Sequence, residues 1–569
     1  MRTVDDLEVS LAPFEPPRLE TRRGLFDRLE QRKWLVISCL VALAFAARTY
    51  QLGAASLAED EANKIFAVRA YQQGDFTVNA EHPMVMKMLC YASVQAAETW
   101  NYHAGALLHI SEEAALRMPN ALFGALTVIP LLLLASALLG FRAGLISAML
   151  WAFGINAIWF SRVCKEDTLL VFFMFSGFYL YHHAKSQWAD DERRQETLHA
   201  LAGAAFGLMM ASKYFPHYFG LNALYYTMVG YDSRNNRPLT RRMWGRYFGG
   251  LIVAFVAFNW AAFAPQTWRY LWKYVHADLL THHGYVVMGE MFINDMSQTP
   301  GGTPWYFYFL FLLVKVPLPL LIAFTVGLVE IFRHRGPYPQ SRGYIFLRVM
   351  LVFWLLPMSL VGTKFLRYTL SLMPLVYMTA AIGIVAMWGW LWRGLRRIKS
   401  SPQAIRLAAA ALAILFIALP AVSMLRSLPY PNLYLNALGG NRVGYFFPHD
   451  EFYDLGARES IRYIADNAPP KARLATEIPG VVEYYLQQYN RPDIEVEIMS
   501  QPSFSLNEDA PDYVLLQPGR VYIENRDNYQ FIERTFPVVQ SSGYNGATAA
   551  RVYFVGGRGS GAGGRQLVP

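Results

Sequence analysis

The sequence predicts a mainly α-helical, polytopic membrane protein. It reads as a bundle of about eleven transmembrane helices with amphipathic interfacial helices and a small C-terminal extracytoplasmic α/β domain. Three observations carry this. Of 569 residues, 54% are hydrophobic and only 16% charged, where a soluble chain carries about a quarter charged residues. The apolar residues are bunched into runs such as ALFGALTVIPLLLLASALLG and YFYFLFLLVKVPLPLLIAFTVGL, which reach the roughly 18–20 residues that span a bilayer as helix. After residue 424 the pattern changes to alternating strand-like and helix-like stretches. A soluble enzyme, a disordered chain and a fibre are all excluded.

Taken in order, residues 1–33 are polar and read as a cytoplasmic segment. The apolar run that follows lacks a small-residue cleavage site, so it stays as a signal anchor. Spans are expected near 34–51, 119–139, 143–160, 168–184, 198–212, 214–230, 247–264, 304–330, 345–361, 368–390 and 404–424, making 34–424 the membrane module. The first outer loop, 52–118, holds short amphipathic pieces such as ANKIFAVRAYQQ. The second, 265–303, is aromatic and His-rich and ends in the turn-rich SQTPGGTP. In 425–555, ARLATEI, DIEVEIM, DYVLLQ and RVYFVG read as strands, and GARESIRYIADNA and GVVEYYLQQY as helices. The Gly-rich tail 556–569 reads as disordered.

The net charge is +9, from 51 Lys+Arg against 42 Asp+Glu. In a membrane protein this excess is the positive-inside bias rather than a nucleic-acid footprint. The basic clusters Arg22–Lys33, Arg193–Arg194, Arg234–Arg246, Arg333–Arg342 and Arg393–Lys399 then lie inside. An odd number of spans places 425–569 outside. The three cysteines, Cys39, Cys90 and Cys164, have neither disulfide-framework nor metal-ligand spacing. No GxxxxGK[ST] is present, which argues against ATP-driven transport.

The bias leaves the outer basic residues unexplained, and charges at the rim of a bundle mark a functional site by default. SLAEDEANK offers Glu59, Asp60 and Glu61 just outside the first span, as a general base, a divalent-cation ligand set or a solvated acidic turn. AEHPMVMKML supplies Glu81, His82 and Lys87. FSRVCKEDTLL supplies Arg162, Lys165, Glu166 and Asp167. GTKFLRYTLSLMP supplies Lys364 and Arg367 at the start of a span. Carboxylates and cations gathered on one face from separate loops suit a pocket for an anionic headgroup. Snorkelling toward lipid headgroups is the bland reading of each cation taken singly.

The order of these motifs resembles the class C glycosyltransferases, above all the protein O-mannosyltransferase family and its bacterial lipid-carrier-dependent relatives. His82-Pro83-Met84-Val85-Met86-Lys87 stands where those proteins read HPPLGK. Arg117-Met118-Pro119-Asn120-Ala121-Leu122-Phe123-Gly124 stands for R.PSALFG. Ser161-Arg162 with Glu166-Asp167-Thr168-Leu169-Leu170 stands for SR…LD..L. The pattern runs over roughly residues 40–390. It departs from the family in lacking the second Pro and the Gly of HPPLGK, and in carrying Glu166 before Asp167.

The resemblance implies an inverting transfer of a monosaccharide from a polyprenyl-phosphate donor to a hydroxyl of a protein Ser/Thr or an envelope glycolipid or glycan. It implies Asp60 as the base, with Glu61 and Asp167 in supporting catalytic roles. Arg162 and Arg117 rank first as phosphate ligands, followed by Lys87, Lys364 and Arg367. Glu81, His82, His282 and His283 are expected to line the substrate side. No cofactor is expected to be required. If a divalent Mg²⁺ or Mn²⁺ binds, then Asp60, Glu61 and Asp167 would hold it. The alternative is a secondary transporter or lipid flippase that binds an anionic headgroup. Against it stand the absence of an internal repeat and the placement of the charged motifs at one face, with Lys315 the main charge deep in a span.

Overall fold

The computed structural model describes residues 25–186, 192–215, 217–228, 239–276, 283–333, 341–506 and 510–556. The greater part of the N-terminal segment, the Gly-rich tail after 556 and His282 lie outside the described residues.

The fold is mainly helical. Among the described residues, four stretches are long and apolar enough to cross a membrane: Ala106–Leu139, Arg342–Leu360, Met373–Arg397 and Pro402–Ser427. Other apolar runs are broken by their own sequence. The run at 143–160 divides into helices Phe141–Phe153 and Ile155–Phe160 at Gly154, where a Cβ would lie 2.2 Å from the Tyr377 hydroxyl. Pro317 separates helix Phe307–Lys315 from Leu318–Arg333, because proline has no N–H to continue a helix.

Small residues set the closest helix contacts. Gly203 and Gly207 of Glu192–Ser212 face the Tyr247 and Leu251 carbonyls of Arg241–Phe258, and a Cβ at Gly203 would come within 1.8 Å of one. Gly327 and Gly383 join Leu318–Arg333 to Met373–Arg397 in the same way. A cavity of about 620 Å³ between Leu318–Arg333 and Met373–Arg397, with Arg333, Arg393 and Trp390 in its lining, shares no residue with the charged cluster described below.

Residues 52–118, the expected first outer loop, include helices Glu59–Gln72 and Met84–His103. The expected second outer loop, 265–303, carries helix Pro265–His276 and, ahead of its turn-rich end, a two-stranded hairpin of Tyr285–Val287 and Glu290–Phe292. After the last long helix the chain builds a five-stranded sheet. Its order is Glu495–Ile498, Arg473–Thr476, Tyr513–Leu516, Ala547–Phe554 and Val538–Tyr544, the first three parallel and the last two antiparallel. The central strand Tyr513–Leu516 is apolar throughout and buried at every position, as a strand covered on both faces must be. The closing hairpin turns at Asn545-Gly546, both with positive φ, the signature of a tight two-residue turn.

This C-terminal portion is docked onto the helices through buried polar contacts. Lys315 pairs with Glu451 at 2.9 Å and donates to the Asn432 carbonyl. Asn436 donates to the Leu313 carbonyl, which Pro317 leaves open, and to that of Val316. The deep charge Lys315 is therefore a structural partner of this docking.

Candidate functional site

The site begins at the N-terminus of helix Glu59–Gln72. Three consecutive carboxylates occupy its first turn, where the helix dipole favours negative charge. Successive residues of a helix point in different directions, so each carboxylate meets a different part of the chain. Glu59 turns to the C-terminal portion and accepts from Arg520 Nη1 at 2.6 Å, while Arg520 also grips Asp454. Glu61 turns inward. Both its oxygens receive Arg117, at 2.8 and 2.6 Å, and it also accepts from the Ala58 and Cys164 backbone N–H groups.

Asp60 points between them. Lys165 Nζ lies 2.6 Å from its Oδ1, Arg367 Nη1 lies 3.3 Å from its Oδ2, and the Tyr453 hydroxyl donates to Oδ2 at 3.1 Å. Its side chain is 28% exposed, against 1% for Glu61 and 0% for Glu166. Glu59 is open as well, at 36%, but faces Arg520, so Asp60 is the exposed carboxylate that meets Lys165 and Arg367. Burial opposes its charge, yet Lys165 and Arg367 outweigh that and hold the Asp60 carboxyl well below its usual value. Burial likewise draws the Lys165 ammonium down, against the pull of Asp60 and Glu166.

The cations ranked first from sequence have a different occupation. Every N–H of the Arg117 guanidinium is used: Nε and Nη2 on Glu61, Nη1 on the Leu52 and Ala55 carbonyls, and Nη2 again on that of Ser56. Arg162 directs Nη1 to the Arg48 and Tyr50 carbonyls and Nη2 to those of Gln51 and Pro429. Lys87 Nζ donates to the Val78 and Asn79 carbonyls, and burial lowers its ammonium to about 7. Lys364 Nζ donates to the Thr303 and Val361 carbonyls and is drawn by burial to about 8. These four pin the ends of helices and loops. Of the five predicted phosphate ligands, Arg367 is the one that meets Asp60.

The remaining predicted residues divide between two neighbourhoods. Asp167 receives Lys213 Nζ at 2.6 Å and lies in the wall of the same void as Lys165, Arg367 and Tyr453. His82 stands 3.7 Å from Glu166, which is salt-bridged to Lys64 at 2.7 Å. Burial holds the His82 imidazolium well below its usual value despite Glu166. Glu81 accepts from Asn79 beside this group. His283 is tied instead to Glu524 at 2.8 Å and Asp295 at 3.5 Å, where residues 283–303 meet the C-terminal portion.

Two residues at Asp60 were not singled out from sequence as its partners. Lys165 was one of several rim cations, and its only local signal was adjacency to Glu166-Asp167. Tyr453 comes from the far end of the chain and holds a left-handed backbone conformation, φ 45°. Nearby Asp450, which accepts from Tyr285 and from the Leu366 N–H, is pushed up by burial to about 6.

Trp159, Phe160, Val163, Lys165, Asp167, Arg367 and Tyr453 enclose a void of only about 10 Å³. That is room for about one water, so a larger ligand enters only when these contacts part. Among the described residues no group of three or more His, Cys, Asp or Glu is arranged to hold a metal. The Asp60, Glu61 and Asp167 set does not fit one, since Glu61 is spent on Arg117 and the other two face ammonium groups.

The sequence matches the dolichyl-phosphate-mannose-protein mannosyltransferase family over residues 96–262, and the Alg9-like mannosyltransferase family over 291–433. No curated protein matches the chain by sequence. Among solved structures it resembles apo ArnT from Cupriavidus metallidurans, at 14% identity and a TM-score of 0.50, covering 93% of this chain and 98% of that one. It also resembles the apo oligosaccharyltransferase of Archaeoglobus fulgidus, at 12% identity and a TM-score of 0.51, covering 85% of this chain and 69% of the other.

Proposed function

We propose that this chain is a class C glycosyltransferase that performs inverting transfer of a monosaccharide from a polyprenyl-phosphate donor to a hydroxyl acceptor, with Asp60 as general base. The reading sets the module 34–424 across a bacterial inner membrane in about eleven spans. Asp60 and the 425–555 domain then lie on the outer side. The acceptor hydroxyl belongs to a protein Ser/Thr or to an envelope glycolipid or glycan.

The observation that carries the proposal is a partly exposed carboxylate between two cations, Lys165 and Arg367, which also line a void with room for about one water. In this resting arrangement the cations neutralise Asp60, and a carboxylate so stabilised is a poor base. A donor phosphate is the ligand that changes this. As it approaches, it competes for Lys165 and Arg367, and Asp60 loses their stabilisation and becomes more basic. The acceptor O–H then gives its proton to Asp60 while its oxygen attacks the anomeric carbon from the face opposite the phosphate. The bond from that carbon to the phosphate oxygen breaks, and the electron pair leaves on the phosphate. The cations meet the charge that develops there, which is where electrostatic catalysis is strongest. Asp167, held by Lys213 in the same wall, orients the sugar. Because two cations already face the leaving group, the reading requires no metal.

The test is product analysis with purified protein in nanodiscs. Polyprenyl-phosphate sugar and a hydroxyl acceptor should yield free polyprenyl phosphate and a glycoside of inverted anomeric configuration. Accumulation of intact donor across a sealed vesicle, with no glycoside formed, would instead establish the transporter reading.

A further inference from the structure

Two of the three cysteines meet. Cys90, in helix Met84–His103, and Cys164, in the loop before Asp167, are 74 positions apart and bring their sulfurs to 3.2 Å. Both are buried, whereas Cys39 is exposed on helix Lys33–Thr49. Cys90 Sγ also faces the Leu116 carbonyl at 3.5 Å, and the Cys164 N–H donates to Glu61 at 2.8 Å. A disulfide needs about 2.05 Å between sulfurs, so closure asks for a movement of only about 1 Å.

The position gives the contact consequence. The residues that follow Cys164 are Lys165, Glu166 and Asp167, whose partners are Asp60, Lys64 and Lys213. Three charged side chains from one short loop are held in place by groups on separate helices. A covalent tie at Cys164 fixes that loop to the helix that starts beside His82 and Pro83. It does so without occupying any polar group of the site.

We propose that Cys90 and Cys164 are joined by a disulfide in the mature protein, and that this bond positions the Lys165–Asp167 loop. The proposal rests on the reading that the Asp60 face lies in the outer, oxidising compartment. The oxidant is a disulfide-bearing thiol oxidant of that compartment. One cysteine thiolate opens the oxidant's disulfide and forms a mixed disulfide. The second cysteine displaces the oxidant's sulfur from it. The two cysteines lose two protons and two electrons between them, and the oxidant's disulfide becomes two thiols. Both sulfurs are buried in the finished fold, so the exchange belongs to the stage before the loop packs.

The experiment counts thiols in the full-length protein, alkylated as membranes are dissolved in denaturant. One labelled cysteine, Cys39, is expected before reduction and all three after it, with a cross-linked peptide pair containing Cys90 and Cys164. C90S should then show two labelled cysteines without reductant, whether or not its activity survives. Three labelled thiols in the unreduced protein overturn the proposal, and a thiol oxidant present during cell-free synthesis into nanodiscs, before the loop packs, then says why. If the pair closes, the geometry is right and the outward reading of this face has failed. If it stays open, the geometry itself is refuted.

Discussion

Replacing Lys165 by Met keeps the stem of the side chain and deletes the ammonium 2.6 Å from Asp60 Oδ1. Asp60 then retains Arg367 at 3.3 Å and the Tyr453 hydroxyl at 3.1 Å. Unit charges about 4 Å apart interact by roughly 4 kcal/mol at an effective dielectric of about 20. Lys165 is also shared with Glu166 at 3.9 Å, and Asp60 is 28% exposed, so about half of that reaches Asp60. The resulting ~2 kcal/mol corresponds to roughly 1.5 pH units.

The sign follows from the direction of the shift. Asp60 is depressed in the folded protein, so its charge is lost only as pH falls through that lowered value. Removing Lys165 raises the value, and the acid limb of kcat/KM, which reports the free enzyme, moves to higher pH by roughly 1–2 units. Loss of a charged contact to the leaving phosphate removes roughly 1.5–3 kcal/mol more, about 10- to 150-fold in kcat/KM. The assay is initial-rate transfer from a labelled polyprenyl-phosphate sugar in nanodiscs across a pH series. A K165M enzyme within about threefold of wild type, with its acid limb unmoved, would refute the reasoning.

Arg117→Lys breaks the two-pronged grip on Glu61 in a buried pair whose disruption costs roughly 3–5 kcal/mol. It should lower the melting temperature and folded yield while leaving donor affinity of the folded fraction unchanged; a selective loss of donor binding would restore Arg117 as a phosphate ligand. Excess EDTA should leave transfer intact, and a complete loss restored by Mn²⁺ would contradict the metal-free reading. Glu477, buried and hydrogen-bonded by Ser500 at 2.8 Å, is pushed up by burial to about 7. The fold prefers its neutral form, so this contribution to stability is present below about 4.5 and lost as pH rises through 7. Glu477→Gln should therefore stabilise at pH 8 by up to about 3 kcal/mol and have little effect at pH 4; equal melting shifts at both pH values would be the contrary result.

Much of the architecture was legible because its signals are local. The alternation in ARLATEI, DIEVEIM, DYVLLQ and RVYFVG corresponds to four strands of one sheet, and the amphipathic pieces of the first outer loop are helices. Asp60 stood out in the sequence because three consecutive carboxylates follow an apolar run. The contacts of the arginines were not legible there. Arg117 and Arg162 sit at motif positions, but what decides their function is whether their N–H groups are free. Those groups are satisfied by carbonyls as distant in sequence as Pro429. A motif gives the residue type and cannot show what long-range packing has done with its donors. Tyr453 was invisible for the same reason: it reaches Asp60 because long-range contacts such as Lys315–Glu451, Asn436–Leu313 and Arg520–Glu59 dock the C-terminal portion onto the helices. The breaks at Gly154 and Pro317 were written in the sequence, yet the apolar runs around them concealed a change of helix.

The most direct measurement is Asp60→Asn, with transfer and donor binding followed on the same preparation. The account predicts transfer lower by roughly 10²–10⁴. Donor should bind at least as tightly as in the wild type, because Lys165 and Arg367 no longer face a competing carboxylate. Transfer at the wild-type rate, or a loss of donor binding in step with the loss of transfer, would contradict it.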